Sequence, residues 1–462
     1  MRASLTWLAA LALLVPCPAT AAPSGSMFSG PTTPDPAVIF WNPAAMTMME
    51  GTNALVMGTF LLFRAEYHRD TLSAFDGKMY PVADSVTPAL LPSAGVITDF
   101  GTKDWRFGLG FALANADGVD WEETYEGKPS ATRHHAVVGR WISFMLEPAV
   151  AYRVSKYISV GVGLDVIGMW VKRSAKFDFG AKINQLICAE SGLSTCPLNS
   201  PLAREDPAFD VHFEIEGIGV GLGFFAGLLV SPFPWLRLGV TVHSGAGTME
   251  VPVDLTLRYP KTVTDYMKTN LKSVTLPPIE ASIDVARHAP VIVLAGAAVN
   301  PIPKLEIAFD FLWMQTSTDP IEQNTVVHTS NELISDQITF NVKLDHFQYG
   351  LRGTYRVLDK LVAGLRLEYR PLKIPELYAM PVSVDFNRLS VFLGVTWQAT
   401  DWLTLIFEYS HHFAFNRVIR RSLFAPNAHP TTPDEQAFDK PSPTGVYKVD
   451  TDHMVLGAML HF

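Results

Sequence analysis

Ile158-Ser159-Val160-Gly161-Val162-Gly163-Leu164-Asp165-Val166-Ile167-Gly168-Met169-Trp170 reads as one long strand. Ile158, Val160, Val162, Leu164, Val166 and Trp170 make a continuous apolar face, and Ser159, Gly161, Gly163, Asp165, Ile167 and Met169 alternate with them. A period of two is the signature of a strand with two different surroundings. The pattern recurs in Leu305, Ile307, Phe309, Phe311 and Trp313 against Lys304, Glu306, Ala308 and Asp310. It returns in Leu361, Ala363, Leu365, Leu367 and Tyr369, and again in Met454, Leu456, Ala458, Leu460 and Phe462. Each apolar face is long enough for the roughly 9 to 11 residues with which a tilted strand crosses a bilayer. Trp105, Trp141, Tyr152, Trp170, Trp235, Trp313, Tyr369, Trp397 and Trp402 gather near strand ends, as interfacial girdles would.

A soluble β-sandwich would also alternate, so the connections decide. Short turns, such as Gly101-Thr102-Lys103-Asp104, Val154-Ser155-Lys156 and Asn300-Pro301-Ile302-Pro303, alternate with long polar segments near 67–90, 116–136, 174–211, 250–284, 317–338, 373–387 and 417–447. A transmembrane barrel places its short turns toward the periplasm and its long loops outside. Strands are expected near 53–66, 91–100, 104–115, 137–153, 158–173, 211–230, 235–249, 285–300, 304–316, 339–356, 360–372, 388–398, 402–416 and 447–462. That makes an all-β, transmembrane antiparallel β-barrel of about 14 strands, an even number as single-chain bacterial barrels require.

The 462-residue chain is only 18% charged, yet no stretch reaches the roughly 18 apolar residues of a spanning helix. Its net charge of −9 comes without a basic stripe, which argues against a nucleic-acid partner. Arg2, the apolar run Leu5–Val15 and the small residues Ala19-Thr20-Ala21 read as an export signal over residues 1–21. Beyond it remain Cys188 and Cys196, eight apart in a polar segment. In an exported protein this spacing points to a local loop disulfide, and the pair offers too few ligands for a metal.

Between the signal and the first strand lies Asp35-Pro36-Ala37-Val38-Ile39-Phe40-Trp41-Asn42-Pro43-Ala44-Ala45-Met46. Its prolines fix φ and disfavour helix in the residue before each, so Asn42-Pro43 is a turn. By itself the stretch is either a surface loop or a rigid apolar segment packed into the strand-rich body.

Catalytic signatures are missing. No G-x-S-x-G elbow, H-E-x-x-H or glycine-rich phosphate loop occurs, and no cofactor motif is found. His134-His135 and His411-His412 are adjacent, so on strands they face opposite sides. Ser410 and His412 share a face beside Glu408, which is what a polar lumen contains in any case. By alternation Glu147, Asp165, Glu306, Asp310, Arg352, Arg366, Glu368, Arg370 and Glu408 all point inward. They either brace the wall in pairs, or an arginine such as Arg352 or Arg366 meets an anionic head group. Met145, Ile167, Met169, Phe225, Leu229, Phe392, Ile406, Val455 and Met459 also point inward, and a water-filled pore has little use for them.

At this point the chain resembles the FadL/TodX family of outer-membrane transporters for long-chain fatty acids and other hydrophobic compounds. The resemblance rests on Asp35–Met46, above all Asn42-Pro43-Ala44. Looser matches are Glu147-Pro148-Ala149-Val150-Ala151-Tyr152-Arg153 and Asp310-Phe311-Leu312-Trp313. It implies a 14-stranded barrel in the bacterial outer membrane whose N-terminal segment, residues 22–52, folds into the lumen of a barrel over 53–462 as a hatch. It further implies that the Asn42-Pro43-Ala44 turn abuts a kink in the third strand, through which ligand leaves sideways into the membrane. Gly108, Gly110 and Asn115 are the positions expected for that kink and gate. Phe40, Trp41, Arg352 and Arg366 are the expected ligand contacts.

Partners implied are a hydrophobic small molecule, outer-membrane lipid and the barrel assembly machinery through the last strand ending at Phe462, with a monomeric state by analogy. Two departures stand out: only about 20 residues separate the expected cleavage site from Asn42, and no proline follows the third strand near Asn115. In the loop 250–284, Val263, Tyr266, Met267 and Leu271 lie at helical spacing, as an apolar capture surface or as the loop's own small core. A general diffusion porin for polar solutes is the competing expectation.

Overall fold

The computed structural model describes residues 25–190, 202–270, 280–316, 321–323, 325–328, 338–340, 344–382, 384–424 and 441–462. They form a closed 14-strand antiparallel barrel. In chain order its strands are β1 (Thr52–Arg69), β2 (Ala83–Thr98), β3 (Trp105–Asp120), β4 (Val138–Arg153), β5 (Ile158–Asp178) and β6 (Asp210–Phe233). β7 is made of two segments, Leu236–His243 and Gly247–Arg258, and β8 of Glu280–Ala289 and Ile292–Ile302. β9 (Leu305–Met314), β10 (His346–Leu358), β11 (Leu361–Arg370), β12 (Arg388–Gln398), β13 (Leu403–Ala414) and β14 (Gly445–His461) complete it. Each strand pairs with the next, and β14 returns to β1 from Asn53↔His461 to Arg69↔Gly445, so the sheet closes on itself.

The lipid-facing band is legible on β6. Its outward residues change from His212, Glu214 and Glu216 to Ile218, Val220, Leu222, Phe224 and Leu228, with Leu222 71% exposed. Lys172 of β5 pairs with Glu214 and Glu216 at 2.9 Å, and Trp170 donates its indole N–H to Glu216 at 3.1 Å, which marks one aqueous boundary. Phe233 and Trp235 stack at 5.3 Å at the other. Ten steps from Ile218 to Leu228 at about 3.3 Å give about 33 Å of strand. At a barrel tilt of about 40° that is about 25 Å of height, the thickness of an apolar band.

Beyond the band, β5, β6 and β7 continue outward. With α1 (Phe179–Glu190) and α2 (Lys261–Asn270) they bury an external core that includes Phe177, Phe213, Phe209, Leu255 and Leu257. Val263 and Met267 are buried in that core, and Tyr266 meets Phe209 edge-on at 5.8 Å. The helical spacing therefore marks an inward face rather than an open capture surface; Leu271 lies outside the described residues.

Other expectations are corrected as well. β2 begins at Ala83 rather than 91, because Pro88 and Pro92 sit within a strand that pairs continuously with β1. Trp141 is not a girdle residue: it is 2% exposed and faces the lumen, whereas Trp105, Trp235, Trp397 and Trp402 are exposed at the strand ends. His134 and His135 lie in the turn before β4, not on a strand. Cys196 and the Cys188 side chain lie outside the described residues, and so does the expected disulfide.

Candidate functional site: the plug, the wall it touches and a lumen cavity

Residues 25–50 fill the lumen as two short 3₁₀ turns, Pro36–Phe40 and Pro43–Met48, and nearly every side chain in them is buried. Each turn begins with a capping side chain followed by proline, which lacks the N–H that a first-turn position would leave unpaired. Asp35 accepts from the Ala37 N–H at 2.8 Å, and Asn42 accepts from the Ala44 N–H at 3.1 Å. Asn42 does more than cap. Its amide donates to the Pro31 carbonyl at 2.9 Å and to the Leu228 carbonyl of β6 at 3.1 Å, which ties the plug turn to the wall.

The wall accommodates this close approach by omitting side chains. A Cβ on Gly161 of β5 would fall 2.6 Å from the Ala44 nitrogen, and one on Gly227 of β6 would fall 2.1 Å from Asn42 Oδ1. Gly108 and Gly110 of β3 meet Met46, Ile39 and Phe40 in the same way.

The expected ligand-contacting arginines hold the plug. Arg352 donates to the Phe28 carbonyl and, at 3.1 Å, to the Thr33 hydroxyl. Arg366 donates to the Ser29 carbonyl at 3.1 Å, pairs with Asp310 at 3.3 Å and Glu368 at 3.6 Å, and lies over the Trp41 ring. These arginines stand directly opposite each other on β10 and β11, an unfavourable juxtaposition that Glu306, Asp310 and Glu368 offset. Glu408 accepts from the Met27 N–H at 2.9 Å, while His412 bonds instead to Ser390, Ser410 and His453. Ser410, His412 and Glu408 thus make no nucleophile–base–acid chain.

β3 carries a bulge. Its pairing with β4 passes from Leu113↔Phe144 to Asn115↔Ser143, so Ala114 is the extra residue, one position before the expected Asn115. From there outward the wall is parted. β2 and β3 pair only from Thr98↔Phe107 to Ser93↔Ala112, while β2 continues on β1 and β3 on β4. Pro88 and Pro92 belong to the parted length of β2. They are an even number of residues apart and lie inside an unbroken ladder with β1, so their missing donors face the gap. The plug's Ile39 and Phe40 lie against Gly108 and Gly110, just below the point where the wall parts.

A cavity adjoins the plug farther round the wall. It is lined by Phe40 and by Met145, Ile167, Ile292 and Leu294, with Asp165 and His243 at its polar side. It sits where β7 breaks between its segments, at Gly245, whose φ of +66° glycine adopts without strain. Sequence reasoning placed Glu147 and Asp165 inward but missed His243, because nothing in the local alternation marks the break.

Phe40 is therefore brought to Gly110, with Gly108 beside it against Ile39 and Met46, but the Asn42-Pro43-Ala44 turn does not abut the third strand as expected: it lies against Gly161 of β5 and Gly227 of β6, and Arg352 and Arg366 hold plug residues 28–33. The side chain of Asn115 lies outside the described residues.

The sequence matches, over residues 6–425, the family described as outer membrane protein transport protein (OMPP1/FadL/TodX). Among curated proteins none matches it. Among solved structures it is similar to a Pseudomonas aeruginosa FadL homologue at 16% identity, covering 97% of this chain and 99% of that one, with a TM-score of 0.76. It is also similar to the Pseudomonas putida toluene transporter TodX, at 14% identity with 92% and 94% covered and a TM-score of 0.63. The Ralstonia pickettii toluene transporter TbuX gives 14%, 94% and 98%, and 0.60. At these identities the structures speak for the fold alone, and the sequence match over nearly the whole chain carries the assignment. The chain belongs to the FadL/TodX family of outer-membrane transport proteins for hydrophobic compounds.

Proposed function

We propose that the protein takes up hydrophobic small molecules passively, long-chain fatty acids or monoaromatic hydrocarbons, and releases them sideways into the membrane. The observation that carries this reading is the parted wall between β2 and β3, which begins at the Ala114 bulge directly above the plug residues Ile39 and Phe40. A greasy molecule that left through an aqueous pore would give up about 0.8 kcal/mol of burial per CH₂, and a lateral exit avoids that loss. Phe40 contributes to the ligand path from the cavity side, and Trp41, Arg352 and Arg366 act on it through the position of the plug. The protein acts as a monomer, carries out no catalysis and is inserted through recognition of its last strand, which ends at the lipid-facing Phe462.

A general diffusion porin needs an open lumen, and the buried plug argues against it. Uptake of a radiolabelled long-chain fatty acid and of toluene by a host lacking its own transporter tests the reading, alongside sugar permeation into proteoliposomes. Hydrophobic uptake without sugar permeation is expected. Sugar permeation without hydrophobic uptake would replace the reading with a porin.

A further inference from the structure

Glu147 of β4, Asp165 of β5 and His243 of β7 converge on the inner wall, with ligand-capable atoms all within 4.8 Å of one another. The ladder explains how three strands deliver them to one point. Pairing of β4 with β5 skips from Leu146↔Val166 to Ala149↔Gly163 around Pro148, so Glu147 and Asp165 face each other across an open rung. On β6 the residue opposite Asp165 is Gly223, which puts no side chain in the way. His243, the last residue before the β7 break, therefore reaches Asp165, Nδ1 to Oδ2 at 3.0 Å. Phe225 stacks on its ring at 4.9 Å and fixes the ring plane.

Among the described residues, the other inward acids of the barrel wall beside the plug have an arginine or a backbone N–H at hand, which this cluster lacks. Glu306 and Asp310 have arginine partners, and Glu408 accepts a backbone N–H. Glu147 is fully buried and Asp165 is 1% exposed, yet among the described residues neither forms an ion pair with lysine or arginine. Both oxygens of Glu147 and Oδ1 of Asp165 have no hydrogen-bond partner there. Buried charge of this kind costs several kcal/mol per ion unless it is paired, neutralised by a proton or bound to a metal.

We propose that Glu147, Asp165 and His243 form a binding site for a divalent first-row transition cation of the zinc type. One imidazole nitrogen and two carboxylates suit such an ion, and the site offers no thiolate that would favour a softer one. Bonds of about 2.1 Å put ligand atoms of a tetrahedral site about 3.4 Å apart, so modest side-chain rotation closes the set. Three protein ligands leave a coordination position open. It faces the cavity beside Phe40 that Asp165 and His243 line. The bound cation would also brace β4, β5 and β7 beside the plug.

The test uses the full-length protein without a histidine tag, purified in detergent from outer membranes, stripped with EDTA and dialysed against zinc chloride. Metal content by plasma mass spectrometry should reach about one equivalent. Glu147→Gln, Asp165→Asn and His243→Ala should each weaken zinc binding at least ~10-fold, while His411→Ala, at an outer-face His–Asp pair, should not. Heat-modifiable gel mobility reports whether each barrel is folded. Cobalt added to the stripped wild type gives a second readout, a visible absorption band that does not depend on any variant folding. Stripped wild type that takes up neither zinc nor cobalt would overturn the proposal, and the carboxylates would then share a proton. Zinc binding that persists unchanged in folded His243→Ala and Asp165→Asn would overturn it equally.

Discussion

Replacing Asn42 separates two roles that one side chain combines. Asn42→Ala removes three hydrogen bonds: the cap on the Ala44 N–H and the two donations to Pro31 and Leu228. At about 1 kcal/mol each the loss is about 3 kcal/mol. Since 1.4 kcal/mol is a factor of ten, local opening of the second turn should become more populated by about 150-fold. Hydrogen–deuterium exchange of peptides spanning residues 42–50 reads this directly; exchange of the β-strands should not change, and hydrophobic uptake should fall. Asn42→Asp discriminates the cause. As a cap aspartate equals asparagine, but at this fully buried position it points a carboxylate at two carbonyl oxygens that had received N–H donors. Asn42→Asp should therefore open the turn more than Asn42→Ala does. If it behaves like wild type, the tie to the β6 wall contributes nothing and the reasoning fails.

Three further perturbations probe the same assembly. Gly227→Ala should displace the Asn42 side chain and lower uptake in a folded barrel, whereas Gly353→Ala, with no atom within 4 Å of the added methyl, should leave uptake unchanged. Arg366→Met leaves Asp310 and Glu368 buried without their partner and frees the Ser29 carbonyl, at about 3–5 kcal/mol. Protease cleavage within residues 25–35 should appear, and Arg366→Lys should not restore protection because a point charge does not reproduce the guanidinium fork. In the external loop before β6, burial works against the charged form of Glu205, but Arg69 at 2.7 Å and the Tyr80 hydroxyl at 2.7 Å hold its carboxyl below the ordinary 4.5. A depressed carboxylate stabilises fully above its unfolded value and loses that contribution as pH falls through the folded one. Protease nicking of the loops between Arg69 and Asp210 should rise only below about pH 4.5, and Glu205→Gln should raise it at neutral pH as well.

What the sequence revealed followed from period-two alternation, which depends only on which face a residue takes. Asp165, Ile167, Met169, Phe225 and the arginines of β10 and β11 lie inward as alternation requires, and most strand positions match. Alternation assigns faces but not depths. Trp141 therefore reads as an interfacial residue, although it lies on the inner face within the external core. The stretch before 91 reads as part of a long polar connection, yet it pairs with β1 back to Ala83; Pro88 and Pro92 turn toward the side where β3 is not paired, so their missing N–H groups cost no ladder bond. Arg352 and Arg366 are legible as inward charges, but the plug carbonyls they hold lie more than 300 residues away in sequence. His243 escaped because its importance comes from a strand break and from Gly223 on the strand between, neither of which leaves a local mark.

Deleting Ala114 tests the lateral route most directly. It removes the extra residue of the β3 bulge, so that Leu113 and Asn115 become consecutive opposite Phe144 and Ser143 and β3 can straighten toward β2. Uptake of a labelled long-chain fatty acid is measured in a host without its own transporter, for deletion and wild type at equal amounts of folded barrel. Exchange protection of residues 42–50 confirms that the plug is undisturbed. The account predicts uptake at the host background for the deletion; uptake at the wild-type rate, with β3 straightened and the plug in place, would contradict it.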